Sequence, residues 1–588
     1  MPRACSRNGV IAWLFAGAML AALAVGAAQA EALRNGPIWV YNNWSAYDEL
    51  SDSVPLTEAL AMRELDELLR LRRAGVHFDY YVMDAFWYAP DGGYRTWRAD
   101  AWPNGPDRWL AKLKANGILP GLWFSTNTLT HMQPAPQWRG SLDASGTQLA
   151  LYTGGFLADF MDVLQCWYDR GVRLFKFDFA EFGAIAAGDE RRVPPTEARS
   201  RNIAAFRAAL AAFRTRHPDA LLVAFNGFGG DFGSTGSRFP FDEPVDVHWL
   251  DVFDALFSGD PRPSDVPEMS FWRSVDLYSD HMVRRFEQSG IPLSRIDSTG
   301  FMIGSTGTNY ARKTAAWQGM LLSLMARGGR INTVHGNLEF LGDAEARWFA
   351  KAQALYASLQ RTGTMSSFGG IPGDAEPYGF AATDDEGGLD LVLNPTQSVR
   401  SVNLPTRPGA TAHPAERILF RDAGFEPSLA GDAIRLGPGQ LALVGIGHYA
   451  SAANDLGVAA DVRIPRRIEP WEAMLGAGAS PAIVSGTIVP PENGDLRIVV
   501  QQRDTKGLPL RSVSENGMGE FLTITATQDG ALLPVEVEYD KVLWSGLSWA
   551  VGEIRHDRIA PGRPIHLRVT SAETDPLRLD VRIYRVEY

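Results

Sequence analysis

The chain predicts an α/β fold, a (β/α)8 TIM barrel followed by C-terminal antiparallel β-sandwich domains, and three observations carry that expectation. From about Pro37 to Gly363, apolar strand-like runs alternate with amphipathic helical stretches. The strand-like runs number eight, which fits closure into a barrel. After Gly363 the texture changes to short alternating runs between Gly, Pro and Asp turns, the pattern of sandwiches.

Residues 1–30 stand apart from that fold. They carry Arg3 and Arg7, an apolar run from Val10 to Val25, and Ala28-Gln29-Ala30, a small-residue cleavage pattern. This reads as a secretory signal peptide, so the mature protein is expected to be secreted or periplasmic. A lone anchor is the competing reading, but the run is short and Ala/Gly-rich and no later segment approaches a span, so no membrane insertion is expected. Loss of the two arginines moves the formal charge from −12 to −14, which argues against nucleic acid as a partner. Cys5 leaves with the signal and Cys166 remains alone, excluding a disulfide framework and any cysteine-rich metal site.

The barrel, residues 31–363, is expected to take its strands from Ile38–Tyr41, Phe78–Met83, Ile118–Phe124, Leu174–Phe177, Leu221–Phe225, Val252–Phe257, Gly300–Ile303 and Ile331–Val334. Ala61, Leu65, Leu68 and Leu69 share one helical face before Gly75; Phe156, Phe160, Val163, Leu164 and Trp167 share another before Gly171; Ile203, Phe206, Leu210 and Phe213 a third before Pro218. An open doubly wound sheet is the alternative, disfavoured because no glycine-rich phosphate loop opens the first unit. A first sandwich is expected over residues 364–450, with strands such as Leu389–Leu393, Val399–Leu404 and Gln440–Ile446. The small-residue stretch Ala450–Asn454 links it to a second sandwich, residues 451–588, with Leu496–Gln502, Phe521–Ala526, Val535–Tyr539, Ile565–Val569 and Leu579–Arg585 as strands.

Strand C-termini carry the site of such a barrel. Phe175-Lys176-Phe177-Asp178 ends the fourth strand, and alternation points Lys176 and Asp178 the same way, so the cation favours the ionised acid a nucleophile requires. A strand-end salt bridge is the plainer reading of the tripeptide alone. Trp44 follows strand one, Asp84 and Trp87 follow strand two, Trp123 closes strand three, Asn226 closes strand five, and Asp260 follows strand six. Carboxylates and tryptophans converging on one face suit sugar chemistry: aromatic faces stack on a pyranose, while carboxylates hold hydroxyls and supply acid, base and nucleophile. Taken singly, each has a structural reading too: a core tryptophan, a helix-capping Asp84, a turn-starting Asp260 before proline.

Val40-Tyr41-Asn42-Asn43-Trp44-Ser45-Ala46-Tyr47, Tyr81-Val82-Met83-Asp84-Ala85-Phe86-Trp87, Gly121-Leu122-Trp123-Phe124 and Phe175-Lys176-Phe177-Asp178 resemble, in order and spacing, the signatures of clan D glycoside hydrolases, closest to the α-galactosidases of families 36 and 27. The resemblance implies that Asp178 is the nucleophile, that Lys176 and Asp84 bind sugar hydroxyls and that Trp44 walls the sugar pocket. It implies a general acid/base after strand six, for which Asp260 is the better match and Asp265 the rival. Arg262 and Arg273 either contact a sugar hydroxyl or neutralise nearby acids, the second being the favoured reading for each. Two departures stand out: Ala85 replaces the second of two adjacent sugar-gripping aspartates, and Ser125-Thr126-Asn127 replaces a glutamate. Loss of that carboxylate puts galactose specificity in question.

The expected activity is therefore that of a retaining α-glycoside hydrolase acting on carbohydrate through a glycosyl-aspartate intermediate, with no metal or organic cofactor. His77, His131, His248, His281 and His335 form none of the close spacings a metalloenzyme commonly uses, and no Gly-x-Ser-x-Gly elbow suggests a serine hydrolase. The rival from another class is a non-catalytic glycan-binding protein. Trp544 and Trp549 offer a stacking platform, but their spacing of five places them on opposite faces of an unbroken strand, which favours core filling or contact with the barrel.

Overall fold

The computed structural model describes residues 36–44, 56–228, 245–267, 270–298, 300–406, 415–478, 482–514, 522–537, 542–573 and 577–588. The expected signal peptide lies outside these residues, as does Cys5.

Nine parallel strands form the first sheet: β1 (Ile38–Asn42), β2 (Tyr80–Met83), β3 (Leu119–Ser125), β4 (Leu174–Asp178), β5 (Leu221–Ala224), β6 (Ala255–Phe257), β7 (Ile296–Asp297), β8 (Phe301–Ile303) and β9 (Ile331–Gly336). Their order is β7-β6-β5-β4-β3-β2-β1-β9-β8. β7 pairs with β6 and β8 pairs with β9, so two short pieces separated by three residues fill the seventh position of an eight-position barrel. The sequence signal for that position, Gly300–Ile303, covers only the second piece. At the first piece the Thr333 hydroxyl donates to the inward Asp297 carboxyl at 3.2 Å, an arrangement no apolar run announces.

Seven helices among the described residues surround the sheet: α1 (Glu58–Arg73), α2 (Asp107–Ala115), α3 (Phe156–Asp169), α4 (Pro195–Arg216), α5 (Phe271–Gln288), α6 (Trp317–Ala326) and α7 (Asp343–Thr362). α1 begins where the Thr57 hydroxyl accepts the Leu60 amide at 3.2 Å and ends on Arg70, Arg72 and Arg73, complementing the carbonyl end of its dipole. No helix among the described residues is long and apolar enough to cross a membrane.

Alternation along β4 decides what faces where. Phe175 and Phe177 point outward, packing on Phe124, Phe206, Phe213 and Phe253. Leu174 points inward with Val40, Val82, Leu221, Val223 and Ile331 in a separate interior cluster. Lys176 and Asp178 therefore stand on the inner side, toward the C-terminal mouth.

Beyond Gly363, Thr364–Gly369, Tyr378–Asp384, Gly387–Leu393, Leu441–Gly447, Glu416–Ala423 and Gly457–Arg463 make a six-stranded sheet. It packs on a three-stranded sheet through Val392, Val402, Ile434, Leu436, Val444 and Ile446. Its last strand lies past Ala450. The remaining described strands form a five-stranded, a four-stranded and a two-stranded sheet around a second core that includes Ile498, Val500, Leu567, Val569 and Val581. α5 is buried along nearly its whole length, and Arg273 on it donates to Asp422 of the first sandwich at 2.9 Å.

Candidate functional site

A cavity of about 300 Å³ opens at the C-terminal mouth of the barrel, and Trp44, Asp84, Trp123, Lys176, Asp178, Asn226, Asp260 and Arg262 all line it. Each stands at or just after a strand end. β1 delivers Trp44, β2 Asp84, β3 Trp123, β4 both Lys176 and Asp178, β5 Asn226, and β6 the loop with Asp260 and Arg262.

Asp178 is 6% exposed and each of its oxygens is held. Oδ2 accepts the Trp123 indole N–H at 2.9 Å. Oδ1 accepts the amides of Phe179 at 2.9 Å and Asn226 at 3.1 Å. These donors fix the carboxylate plane and favour its ionised form. Burial nevertheless pushes the Asp178 carboxyl above the ordinary aspartate range, against the pull of Lys176 and Trp123 and with Asp84 adding to the rise. The sequence reading, in which Lys176 alone set the direction, is corrected on this point: desolvation outweighs the neighbouring cation.

Lys176 is shared between acids. Its Nζ donates to Asp84 Oδ2 at 2.8 Å, in an ion pair whose two side chains are 6% and 2% exposed, and lies 3.9 Å from the centre of the Phe225 ring. Asp84 is oriented in turn: its own amide donates to Asn43 Oδ1 at 2.9 Å, and Oδ1 accepts the Ala85 amide at 2.8 Å. A buried pair of this kind presents a fixed acceptor beside a fixed donor, the arrangement that recognises vicinal hydroxyls.

Asn226 joins the two carboxylates assigned to chemistry. Its amide contacts Asp178, and its Nδ2 reaches Asp260 Oδ2 at 3.5 Å, a long contact. Gly227 makes that placement feasible: at φ +97° it passes the Ala180 backbone so closely that a Cβ would meet Ala180 O at 2.2 Å. Arg262 is 3% exposed, with its guanidinium 5.5 Å from the centre of the Tyr278 ring.

Three residues singled out from the sequence lie elsewhere. Trp87 is behind the wall, 1% exposed, donating through Nε1 to Trp123 O at 2.8 Å and packing on Trp97 and Trp167. Arg273 pairs with Asp422 at 2.9 Å and Asp276 at 3.4 Å, between barrel and sandwich. Asp265 pairs with Arg511 at 2.7 Å.

Other wall residues escaped the sequence reading. His335, near the end of β9, lines the cavity at 3% exposure, and its Nδ1 is buried without a hydrogen-bond partner. Burial and Lys176 hold its ring well below the usual histidine range, hence neutral. The same strand-end rule that finds Asp178 would have found it. Met302 and Tyr310 also line the cavity, on and after β8; no periodicity marks Tyr310. Phe86, Phe179 and Phe225 complete an aromatic wall. Among the described residues, no group of three or more His, Cys, Asp or Glu side chains is placed to hold a metal ion.

No family model matches this chain, and neither does a curated protein. Solved structures resemble it at low identity. The GH36 α-galactosidase AgaA of Geobacillus stearothermophilus aligns at 15% identity with TM-score 0.46, over 70% of this chain and 56% of its own. The α-galactosidase of Lactobacillus brevis aligns at 13% identity with TM-score 0.49, over 71% of this chain and 56% of its own. The trehalulose synthase MutB aligns at 12% identity with TM-score 0.46, over 70% of this chain and 99% of its own. Against the two galactosidases, this chain spans little more than half of the partner's length.

Proposed function

We propose that this protein is a secreted, retaining, α-galactosidase-like glycoside hydrolase that cleaves α-linked oligo- or polysaccharide. One observation carries the reading: Asp178 and Asp260 face a single aromatic-walled cavity and both meet Asn226. In this mechanism an oxygen of Asp178 attacks the anomeric carbon while Asp260 gives its proton to the departing glycosidic oxygen. The C–O bond to the leaving group breaks, and a glycosyl-aspartate forms. Asp260, now a carboxylate, takes a proton from water, whose oxygen attacks the anomeric carbon and frees Asp178. Two inversions return the α-anomer.

The surrounding residues have matching tasks. Trp123 and the two backbone amides receive the negative charge that returns to Asp178 when the intermediate breaks down. Asp84 and Lys176 hold adjacent sugar hydroxyls, and Trp44 stacks on the ring. Ala85 lines the cavity with a methyl group where the resembled families carry a carboxylate, so the bound sugar makes one polar contact fewer there. The electron and proton balance of this sequence needs no cofactor.

The test is turnover of a panel of aryl and natural α- and β-glycosides by wild type and Asp178→Asn. The reading predicts hydrolysis of an α-glycoside by wild type, a fall of about 10⁴-fold or more in the variant, and retained sugar binding. Binding without turnover in wild type would establish a glycan-binding protein instead. Export is tested separately: the N-terminus of the exported protein is expected at Glu31.

A further inference from the structure

The second sandwich meets the barrel at the loop after β6. Arg511 binds the Asp265 carboxylate in a fork, Nη2 to Oδ2 at 2.7 Å and Nε to Oδ1 at 3.3 Å, with side chains 5% and 3% exposed. The Ser548 hydroxyl donates to Asp265 Oδ1 at 2.8 Å, and Trp549 Nε1 donates to Ser264 O at 2.8 Å. A second bridge lies nearer the cavity. Asn309 donates through Nδ2 to Pro261 O at 2.9 Å and accepts the Leu543 amide on Oδ1 at 2.8 Å. Pro261 sits between Asp260 and Arg262, so both ends of the loop are tied to the sandwich.

Leu543 adds an apolar contact. It is 0% exposed and packs with Met302 and Tyr310, and partly buried Trp44 packs against that same cluster; these three partners line the cavity. Arg511 and Leu543 belong to one local unit, in which Ser512–Ser514 pairs with Val542–Leu547. Gly546 keeps it compact: its φ is +75°, and a Cβ there would meet the Arg511 Cβ at 2.7 Å.

We propose that the second sandwich is a built-in part of the catalytic pocket, with Arg511 and Asn309 as positioning residues that hold the Gly259–Asp265 loop so that the Asp260 carboxyl meets the leaving-group oxygen. The proposal rests on the assignment of Asp260 as general acid. Its reasoning is geometric. Asp260 follows Gly259, which has φ +118°, so the loop leaves the barrel through a hinge-like residue. Beside the Asn226 contact, the far end of the loop gives the acid a second anchor, where a buried carboxylate is locked by a bidentate guanidinium. Removing the guanidinium leaves Asp265 buried without its charge partner, and the loop relieves this by moving. A displacement of about 1 Å at a catalytic group costs roughly a hundredfold in rate.

The test separates positioning of the acid from general damage by leaving-group dependence. A dinitrophenyl α-glycoside needs no proton on departure; a methyl or oligosaccharide glycoside does. Arg511→Gln is expected to lose about 100-fold in kcat/KM on the second class and less than about 5-fold on the first. Arg511→Lys, which keeps the charge but not the fork, is expected to fall between. Asp260→Ala should show the same selectivity in stronger form. Melting temperatures are measured alongside; should Arg511→Gln not fold, Ser548→Ala and Leu543→Ala are read for the same selectivity. Equal losses on both classes, or no loss on either, would overturn the proposal. If wild type cleaves both classes but Asp260→Ala shows no leaving-group dependence, the assignment of the acid fails and the proposal with it.

Discussion

The carboxyl of Asp178 sits between two influences of opposite sign, and its chemistry depends on their balance. Burial raises its pKa above the usual value, while the Trp123 N–H, two backbone amides and Lys176 oppose the rise. The acid limb of the kcat/KM profile should therefore lie above the range of an ordinary aspartate. Trp123→Phe removes one donor to the ionised form, which raises the pKa further, so the acid limb moves to higher pH. An unchanged limb would mean that Asp178 is not the group whose ionisation controls activity. Most of this arrangement could be read from residue types at strand ends. The net direction of the pKa could not, because desolvation depends on how neighbouring strands bury the acid at the barrel mouth, which no local pattern encodes.

Elements carry their own ionic requirements, most sharply at α5. Arg273 and Arg312 share Asp276, and Arg273 also meets Asp422, all of them 3% exposed or less. Arg273→Met strands the buried Asp422, while Asp276 keeps Arg312, and is expected to destabilise the folded state by about 3–5 kcal/mol. Measured by denaturant unfolding, a loss below about 1 kcal/mol would contradict the buried network. The sequence favours acid neutralisation over sugar contact for Arg273 but cannot name the acid, since that partner lies 149 residues away. Helical faces were legible because their period is local: Phe156, Phe160, Val163, Leu164 and Trp167 are all buried on α3. The broken seventh strand was half legible, because its first piece is two residues long.

At the scale of the whole molecule, buried carboxyls shape stability against pH, Glu64 and Asp297 among them. Glu64 is raised from 4.5 to about 8 and Asp297 from 3.8 to about 7, both chiefly by burial. In the unfolded chain both lose their protons near pH 4, whereas the folded protein keeps them to about 8 and about 7. Across that window the folded state binds more protons, so stability falls as pH rises. Asp297→Asn should raise the melting temperature at pH 8 and leave it nearly unchanged at pH 4; no difference between those pH values would refute an ionisable, buried Asp297. The two sandwiches were foreseen from alternation and turns. That the second one supplies Arg511 and Leu543 to the barrel was not, because Trp549, read as core or barrel contact, gave the only hint.

The configuration of the first-formed product tests the central claim most directly. With wild type and an α-glycoside substrate, NMR spectra taken before mutarotation should show the α-anomer, as double displacement through Asp178 requires. A β-anomer would show single displacement by water and would remove Asp178 from the role of nucleophile.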